Sequence, residues 1–341
     1  MKRVTSIEVA ERAGVSQSTV SRVFSGKSLY IAEETRQKVL RVAEELGYTP
    51  NAIARMMSSR HTNVIGIVMA NITSPFYPYV LEKFLQQMQD MGRNALMFTA
   101  APNQEIDDML PLILQHRVDA LIITSATLSS AMVEECVRQG TPVILFNRYI
   151  VGSLASAVSA DNVEGGRRIA DTLLDTGHER LAFIAGNINT STNNDREKGY
   201  TDRLNERGYD QIQRAQANFS YESGFKAAHE LLTGKNVPDA IFCANDIMAI
   251  GALEAARSLH VRIPDDVSII GYDNIPMAAW ASYNLTTFSQ EVDTMIDETL
   301  HILSEKLENP DSAPVFKLVP GRLIARESVR ALQPVTEQEP V

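Results

Sequence analysis

From Val64 to Gly271 the chain alternates short apolar, β-rich runs with helical stretches, and it does so twice. The first set reads as a buried strand at Val64–Ala70, a helix at about 78–91 and a strand at Ala95–Phe98. A helix near 107–115, a strand at Ala120–Ile123, a helix at about 131–138 and a strand at Pro142–Phe146 follow. The second set restarts after Asp161. It gives a helix at 165–176, a strand at Leu181–Ala185, helices at 195–207 and about 221–232, a strand at Ala240–Cys243, a helix at 247–259 and a strand at Val267–Gly271. Runs of this kind, apolar on both faces, require parallel sheets covered by helices on each side. Two consecutive α/β units of similar size predict two lobes with a cleft between them. Ligands of open parallel sheets bind off the carboxyl ends of the strands, so that cleft is the expected site.

The first 60 residues have another character. Thr5 to Phe24, TSIEVAERAGVSQSTVSRVF, reads as two short helices around a tight turn. Ile7, Val9, Ala10 and Ala13 form one apolar stripe of the first helix, about Ser6 to Ala13. Gly14 can take positive φ and end it, and Ser16 can cap the next. The second helix, about Gln17 to Phe24, turns Val20, Val23 and Phe24 inward and leaves Gln17, Ser18, Ser21 and Arg22 outside. Polar side chains at the exposed start of a second helix suit the reading of base edges in a major groove, although an ordinary helical hairpin has the same pattern. A third amphipathic helix, Glu33 to Leu46, is closed by Gly47. After it, Pro50 breaks the helix and Asn51 can cap a short new one. That segment is either a plain linker or a hinge helix that folds on DNA and wedges an apolar side chain into the minor groove.

Charge separates the same two regions. The chain of 341 residues has a net charge of −10, but residues 1–60 hold ten Lys/Arg against six Asp/Glu, a balance of +4. A basic head on an acidic body suits a protein that meets phosphates through its head alone. Cys136 and Cys243 lie far apart in apolar surroundings and read as buried thiols of a reducing compartment. The N-terminus lacks the apolar run of a signal peptide, and no stretch approaches the length of a membrane span, so a cytoplasmic location is expected.

Several motifs in this order and spacing make the chain resemble the lac repressor/galactose repressor (LacI/GalR) family of regulators along nearly its whole length. They are Val9-Ala10-x-x-Ala13-Gly14-Val15-Ser16-x-x-Thr19-Val20-Ser21-Arg22-Val23, Leu46-Gly47-Tyr48-x-Pro50-Asn51-Ala52-x-Ala54-Arg55 and Asn71-Ile72-x-x-Pro75-Phe76-Tyr77. Further on come Asp161-Asn162-x-x-Gly165-Gly166, Gly177-His178-x-Arg180, Ala244-Asn245-Asp246-Ile247-Met248-Ala249, Pro264-x-Asp266-Val267-Ser268-x-Ile270-Gly271-Tyr272-Asp273 and Leu285-Thr286-Thr287. The resemblance implies an all-α helix-turn-helix headpiece (1–48), a hinge helix and linker (49–61), a two-lobed periplasmic-binding-protein-like core of two parallel sheets (62–331) and a tail (332–341). It also implies three crossovers, near Ala160, Ser289 and Gly321. The first lobe would be about 62–160 with 290–320, the second about 161–289 with 321–331.

Carried over by position, Gln17, Ser18 and Arg22 fall on base-reading places. Thr5, Ser16, Ser21 and Thr35 fall on backbone- or phosphate-contacting ones. Asn51 begins the hinge helix, and Ala54 and Met57 form its minor-groove pair, with Met57 where leucine is usual. Ala32 stands where the family usually has a serine cap, at a cost of about 1 kcal/mol. The effector places fall on Phe76, Tyr77, Ser125, Asn147, Arg148, Asp161, Thr192, Arg196, Phe219, Asn245 and Asp273. Aromatic faces against sugar C–H patches, with charged groups forking onto hydroxyls, suit carbohydrate. Asn147 replaces a common aspartate and removes a charge, which leaves a sugar, polyol, sugar acid or sugar phosphate open as effector. The implied function is a repressor of sugar or sugar-derivative catabolism genes. It would bind double-stranded DNA at a near-palindromic operator as a homodimer, with no cofactor and no metal. The tail has two prolines and no heptad, which favours a dimer over a tetramer.

Other functions fit less. A solute-binding protein of a transport system would share the core but needs an export signal and no headpiece. An enzyme would need a nucleophile–base or metal-spaced set, and none is legible. Gly165-Gly166 is only loosely like a phosphate loop. His178 reads as structural and Asp265-Asp266 as a solvated turn. Trp280 is either a cleft lid or packing. Arg196, near a helix start, is either functional or a surface charge.

Overall fold

The computed structural model describes residues 4–24, 31–49, 62–69, 74–99, 106–124 and 129–331. Asn51, Ala54, Met57 and the hinge reading lie outside them, as does Ser125. The chain divides into two compact units between Asn63 and Val64.

In the first unit, α1 (Ser6–Ala13), α2 (Gln17–Phe24) and α3 (Glu33–Glu45) pack around Val9, Ala10, Ala13, Val20, Val23, Val39, Val42 and Ala43. Thr5 and Glu8 form a reciprocal capping box: the Glu8 amide donates to Thr5 Oγ1 and the Thr5 amide to Glu8 Oε2. Gly14 ends α1 at φ 65°, a left-handed conformation that costs other residues more than glycine. Ser16 Oγ accepts the Thr19 amide at 3.2 Å, as an N-cap should. Ala32 supplies no such bond to α3. One residue departs from the expected stripe: Ile7 is 52% exposed. It is the second residue of α1, and a helix this short has too few turns to bury every apolar position.

The second unit contains two six-stranded sheets. The first is built from β1 (Val64–Met69), β2 (Asn94–Thr99), β3 (Ala120–Ile123), β4 (Val143–Phe146), β5 (Ser156–Ala160) and β11 (Phe316–Val319). Its strands are all parallel and lie in the order β11-β5-β4-β3-β1-β2. The second is built from β6 (Leu181–Ala185), β7 (Gln213–Gln216), β8 (Ala240–Cys243), β9 (Ser268–Asp273), β10 (Thr286–Ser289) and β12 (Arg322–Ile324), in the order β12-β10-β9-β8-β6-β7. Its edge strand β12 runs antiparallel to β10, a departure from the expected purely parallel sheet. Antiparallel pairing lets the chain leave β11 and enter the second sheet through the short Pro320-Gly321 link. The chain passes between the sheets after Ala160, after Ser289 and between Val319 and Arg322.

Helices α4 (Phe76–Asp90), α5 (Leu110–Gln115), α6 (Ser130–Arg138) and α11 (Val292–Glu308) belong with the first sheet. Helices α7 (Asn162–Asp175), α8 (Ser191–Glu206), α9 (Tyr221–Leu232) and α10 (Asp246–Ser258) belong with the second. Helices α4, α7, α8 and α10 begin one to four residues earlier than periodicity predicts, because their first turns carry polar or cleft-facing side chains rather than the apolar stripe. Strands β5 and β7 are not legible as apolar runs: SAVSA is small and polar, and QRAQ is an edge strand with alternating exposure.

Close helix crossings depend on missing side chains. A Cβ on Gly166 would overlap the Arg196 carbonyl oxygen, and one on Gly199 the Val163 carbonyl. The Gly165-Gly166 pair therefore lies inside α7 as a contact surface for α8 and Tyr272, not in a phosphate loop.

Candidate effector cleft and headpiece surface

The cleft is assembled at the carboxyl ends of strands in both sheets. Ser74, Phe76 and Tyr77 follow β1 at the start of α4, and Asn147 and Arg148 follow β4. From the second lobe come Thr192 and Arg196 in the first turns of α8, Phe219 before α9, Asn245 after β8 and Asp273 at the end of β9. Nine of the eleven residues expected at the effector site thus line one cavity. Ser125 lies outside the described residues. Asp161 is not in the lining: its carboxylate caps α7 by accepting the Glu164 amide at 3.1 Å. The cleft is narrow in this arrangement, with a cavity volume of about 40 Å³, and it opens to solvent on one side.

Arg196 holds the site together. It is 2% exposed, so the surface-charge reading is wrong. Its Nε donates to Asn162 Oδ1 at 2.8 Å, Nη1 donates to the Ala244 carbonyl at 2.6 Å, and Nη2 lies 3.2 Å from Asp273 Oδ1. Its Cζ sits 3.6 Å from the centre of the Tyr272 ring. The partners come from α7 and the ends of β8 and β9, so one side chain registers three elements. Asp273 Oδ1 also accepts Gln290 Nε2 at 2.6 Å. Burial raises the Asp273 carboxyl above its ordinary value, with the Arg196 charge opposing.

Three cleft residues other than glycine have positive φ: Asn147 at 64°, Phe219 at 66° and Asp273 at 116°. Such strain collects where a side chain must be aimed at a site. Phe219 lies against Gly186, where a Cβ would collide with its ring. Asn245 Oδ1 caps α10 through the Met248 amide. Asn147 is 4% exposed and its Oδ1 has no hydrogen-bond partner among the described residues; nor does the buried Arg148 Nε.

A second contact joins the lobes beside the cavity. The Tyr149 hydroxyl lies 3.0 Å from both oxygens of Asp195 in α8, and the Tyr149 amide donates to Ser191 Oγ at 3.2 Å. The Tyr149 ring packs on Phe316 of β11. Burial and the adjacent carboxylate push the Tyr149 hydroxyl up to about 12. Neither this latch nor Ser74 and Gln290 emerged from the sequence. A polar residue directly after β10 was the one available signal for Gln290.

Other readings resolve from their surroundings. His178 is buried, with Nε2 2.8 Å from Ser268 Oγ and Nδ1 2.9 Å from the Leu173 carbonyl, which is a structural role. Trp280 is 55% exposed, stacks on Tyr283 and is not in the cleft lining. Asp266 is ion-paired with Arg262 in an exposed turn. Cys136 and Cys243 are buried free thiols.

In the headpiece, Gln17, Ser18, Ser21 and Arg22 are exposed along α2, and Thr35 is half-buried in the first turn of α3. Gln17 Nε2 donates to Ser6 Oγ at 3.1 Å, and Ser16 Oγ lies 2.8 Å from Ser18 Oγ. These bonds set side chains at the start of the second helix against the turn and the first helix.

Comparison with known proteins agrees along the full length. Residues 7–51 match the bacterial regulatory proteins of the lacI family, and residues 170–329 match the periplasmic binding protein-like domain. The HTH-type transcriptional regulator DegA of Bacillus subtilis is 32% identical over 337 residues, covering 97% of this chain and 99% of DegA. The HTH-type transcriptional repressor PurR of Photobacterium profundum is 30% identical over 330 residues, covering 95% of this chain and 98% of PurR. A lac repressor dimer bound to operator and the anti-inducer ONPF has the same fold, with a TM-score of 0.87, 24% identity and coverage of 97% of this chain and 100% of that one. The transcriptional regulator CelR in a cellobiose complex aligns with a TM-score of 0.73 and 29% identity, covering 96% of this chain and 100% of that one. Among the described residues no helix is long and apolar enough to cross a membrane. Headpiece, two-lobed core and full-length similarity together make this chain a member of the lacI family: a DNA-binding transcriptional repressor with an effector-binding domain, and not an enzyme.

Proposed function

We propose that this repressor acts in the cytoplasm as a homodimer on a near-palindromic operator, and that a small carbohydrate-like effector in the inter-lobe cleft sets its operator affinity. In this reading Gln17, Ser18 and Arg22 read base edges, while Thr5, Ser16, Ser21 and Thr35 set the headpiece on the phosphates. Asn51, Ala54 and Met57 belong to the hinge. The regulated genes are those of sugar or sugar-derivative catabolism. The observation that carries the effector half is the cavity itself. Phe76, Tyr77 and Phe219 offer aromatic surface, and Asn147, Arg148, Thr192, Arg196, Asn245 and Asp273 offer hydrogen-bonding groups, all from the ends of strands in two lobes. CelR, a structural relative solved with cellobiose, supports a sugar-like class.

The lobes give the coupling. An effector that touches Phe76 on one side and Arg196 on the other fixes their relative position. It can change operator affinity only by as much as its affinity differs between the two lobe arrangements, typically about 1–3 kcal/mol. The test begins with selection of a duplex from a randomised palindromic pool by the full chain. Its binding is then followed by fluorescence anisotropy, with and without sugars, polyols, sugar acids and sugar phosphates. The expected result is a salt-sensitive, palindrome-specific complex whose affinity moves about fivefold or more with one class of ligand. A protein with no preference over random DNA, or whose specific complex ignores every cleft ligand, would not be such a regulator.

A further inference from the structure

We infer that the effector is an anion: a small polyhydroxylated molecule whose carboxylate or phosphate is held by Arg148. The inference rests on the proposed effector role of the cleft and narrows it. Among the described residues the cavity lining holds three charged side chains, Arg148, Arg196 and Asp273. Arg196 and Asp273 form an ion pair at 3.2 Å, and two further Arg196 donors go to Asn162 and Ala244. That guanidinium is committed to the protein. Among the described residues no carboxylate pairs with Arg148, and its Nε is buried without an acceptor. Asp195, which accepts from Tyr149, and Asp161, which caps α7, lie outside the cavity lining, and neither forms an ion pair with Arg148.

The lining therefore carries one unmatched positive charge. Arg148 is half-buried, with its Nε shielded from solvent beside the rings of Phe76, Tyr77 and Phe219 that share the lining, and its planar fork fits a carboxylate or phosphate through two parallel bonds. Asn147, adjacent in sequence, adds a buried Oδ1 with no donor. It can accept a ligand hydroxyl and is a poor neighbour for a second anion. Together they specify an anionic head next to a hydroxyl-bearing carbon. Thr192, Asn245 and Asp273 in the same lining face the other hydroxyls.

The test uses the full-length chain and matched probes: glucose and sorbitol against gluconate, glucuronate and glucose 6-phosphate. Affinity is measured by calorimetry, and ligand-induced thermal shift provides a second readout. At least one acid or phosphate should bind about tenfold or more tightly than its neutral counterpart. Arg148→Met should erase that preference, and Arg148→Lys should restore part of it, which a purely steric role would not do. The thermal midpoint of each ligand-free variant reports whether it folds. Carboxylate and phosphate are separated by which probe wins. The inference is overturned if no anionic probe binds, if a neutral partner binds as tightly, or if Arg148→Met weakens charged and neutral probes alike. A neutral ligand that still releases or tightens operator would overturn the anion while leaving the regulator reading intact. Failure of every ligand to change operator binding would strike that reading instead.

Discussion

Asp246 shows how a single buried group leaves a mark on the stability of the second lobe. Its Oδ1 accepts the Thr287 hydroxyl at 2.5 Å and its Oδ2 the Ile275 amide at 2.8 Å, beneath the cleft and away from solvent. Burial raises its carboxyl well above the ordinary range; the nearby Asp273 charge adds to this, while the two hydrogen bonds and Arg326 oppose it. The folded state therefore holds this proton at pH values where the unfolded chain has lost it. Stability from this group is then greatest at low pH and falls as pH rises from the ordinary carboxylate range through the raised value. Asp246→Asn should lack that slope, so its unfolding free energy relative to wild type should climb in urea titrations as the pH rises above the ordinary carboxylate range. Parallel curves for the two proteins would show that Asp246 is ionised throughout. The exposed Glu206, held down to about 2 chiefly by its hydrogen bond from Arg167 and then that from Arg203, works in the opposite sense below its unfolded value.

At the scale of elements, the crossing of α7 and α8 decides where Arg196 stands. Gly166 and Gly199 let the two backbones meet, which brings the Arg196 side chain within reach of Asn162 at the start of α7. A methyl group at Gly166 has backbone in its way on the opposite helix, so relief requires the helices to separate. Gly166→Ala is expected to lose about 1–3 kcal/mol of core stability and to weaken ligand binding at the same time. Chemical denaturation and calorimetry on one preparation check both. A variant that is destabilised but binds with unaltered affinity would mean that Arg196 is positioned by β8 and β9 alone.

At the scale of the whole core, two lobes face each other across the cleft, and Tyr149 with Asp195 ties them beside it. The Tyr149 amide bond to Ser191 anchors the same strap to α8. Removing the hydroxyl leaves a half-buried carboxylate short of a donor and favours arrangements in which it meets water. Tyr149→Phe should therefore loosen the closed lobes: ligand affinity falls by roughly three- to tenfold, and small-angle scattering of the ligand-free protein shows a larger radius of gyration. An unchanged radius and affinity would confine the latch to a surface contact.

Much of this was legible in residue order. The apolar runs at Val64, Ala120, Leu181 and Ala240 dictate strands because only a sheet covered on both faces buries them, and Gly14 with Ser16 marks the headpiece turn by local backbone and capping chemistry. Those are local causes, and local pattern records them. Strand β5 escaped because its burial comes from neighbours rather than from its own hydrophobicity, and β7 because it is a polar edge strand with no buried position. Nine cleft positions could be placed by motif, but not the state of any of them. That Arg196 is ion-paired within the protein, that Arg148 is not, and that Tyr149 reaches Asp195 depend on which residues, distant in sequence, meet in the fold. Sequence determined which groups the cleft contains. Only the tertiary structure decided which of them the protein uses for itself and which it leaves for a ligand, because a side chain's free valence is fixed by what packs beside it.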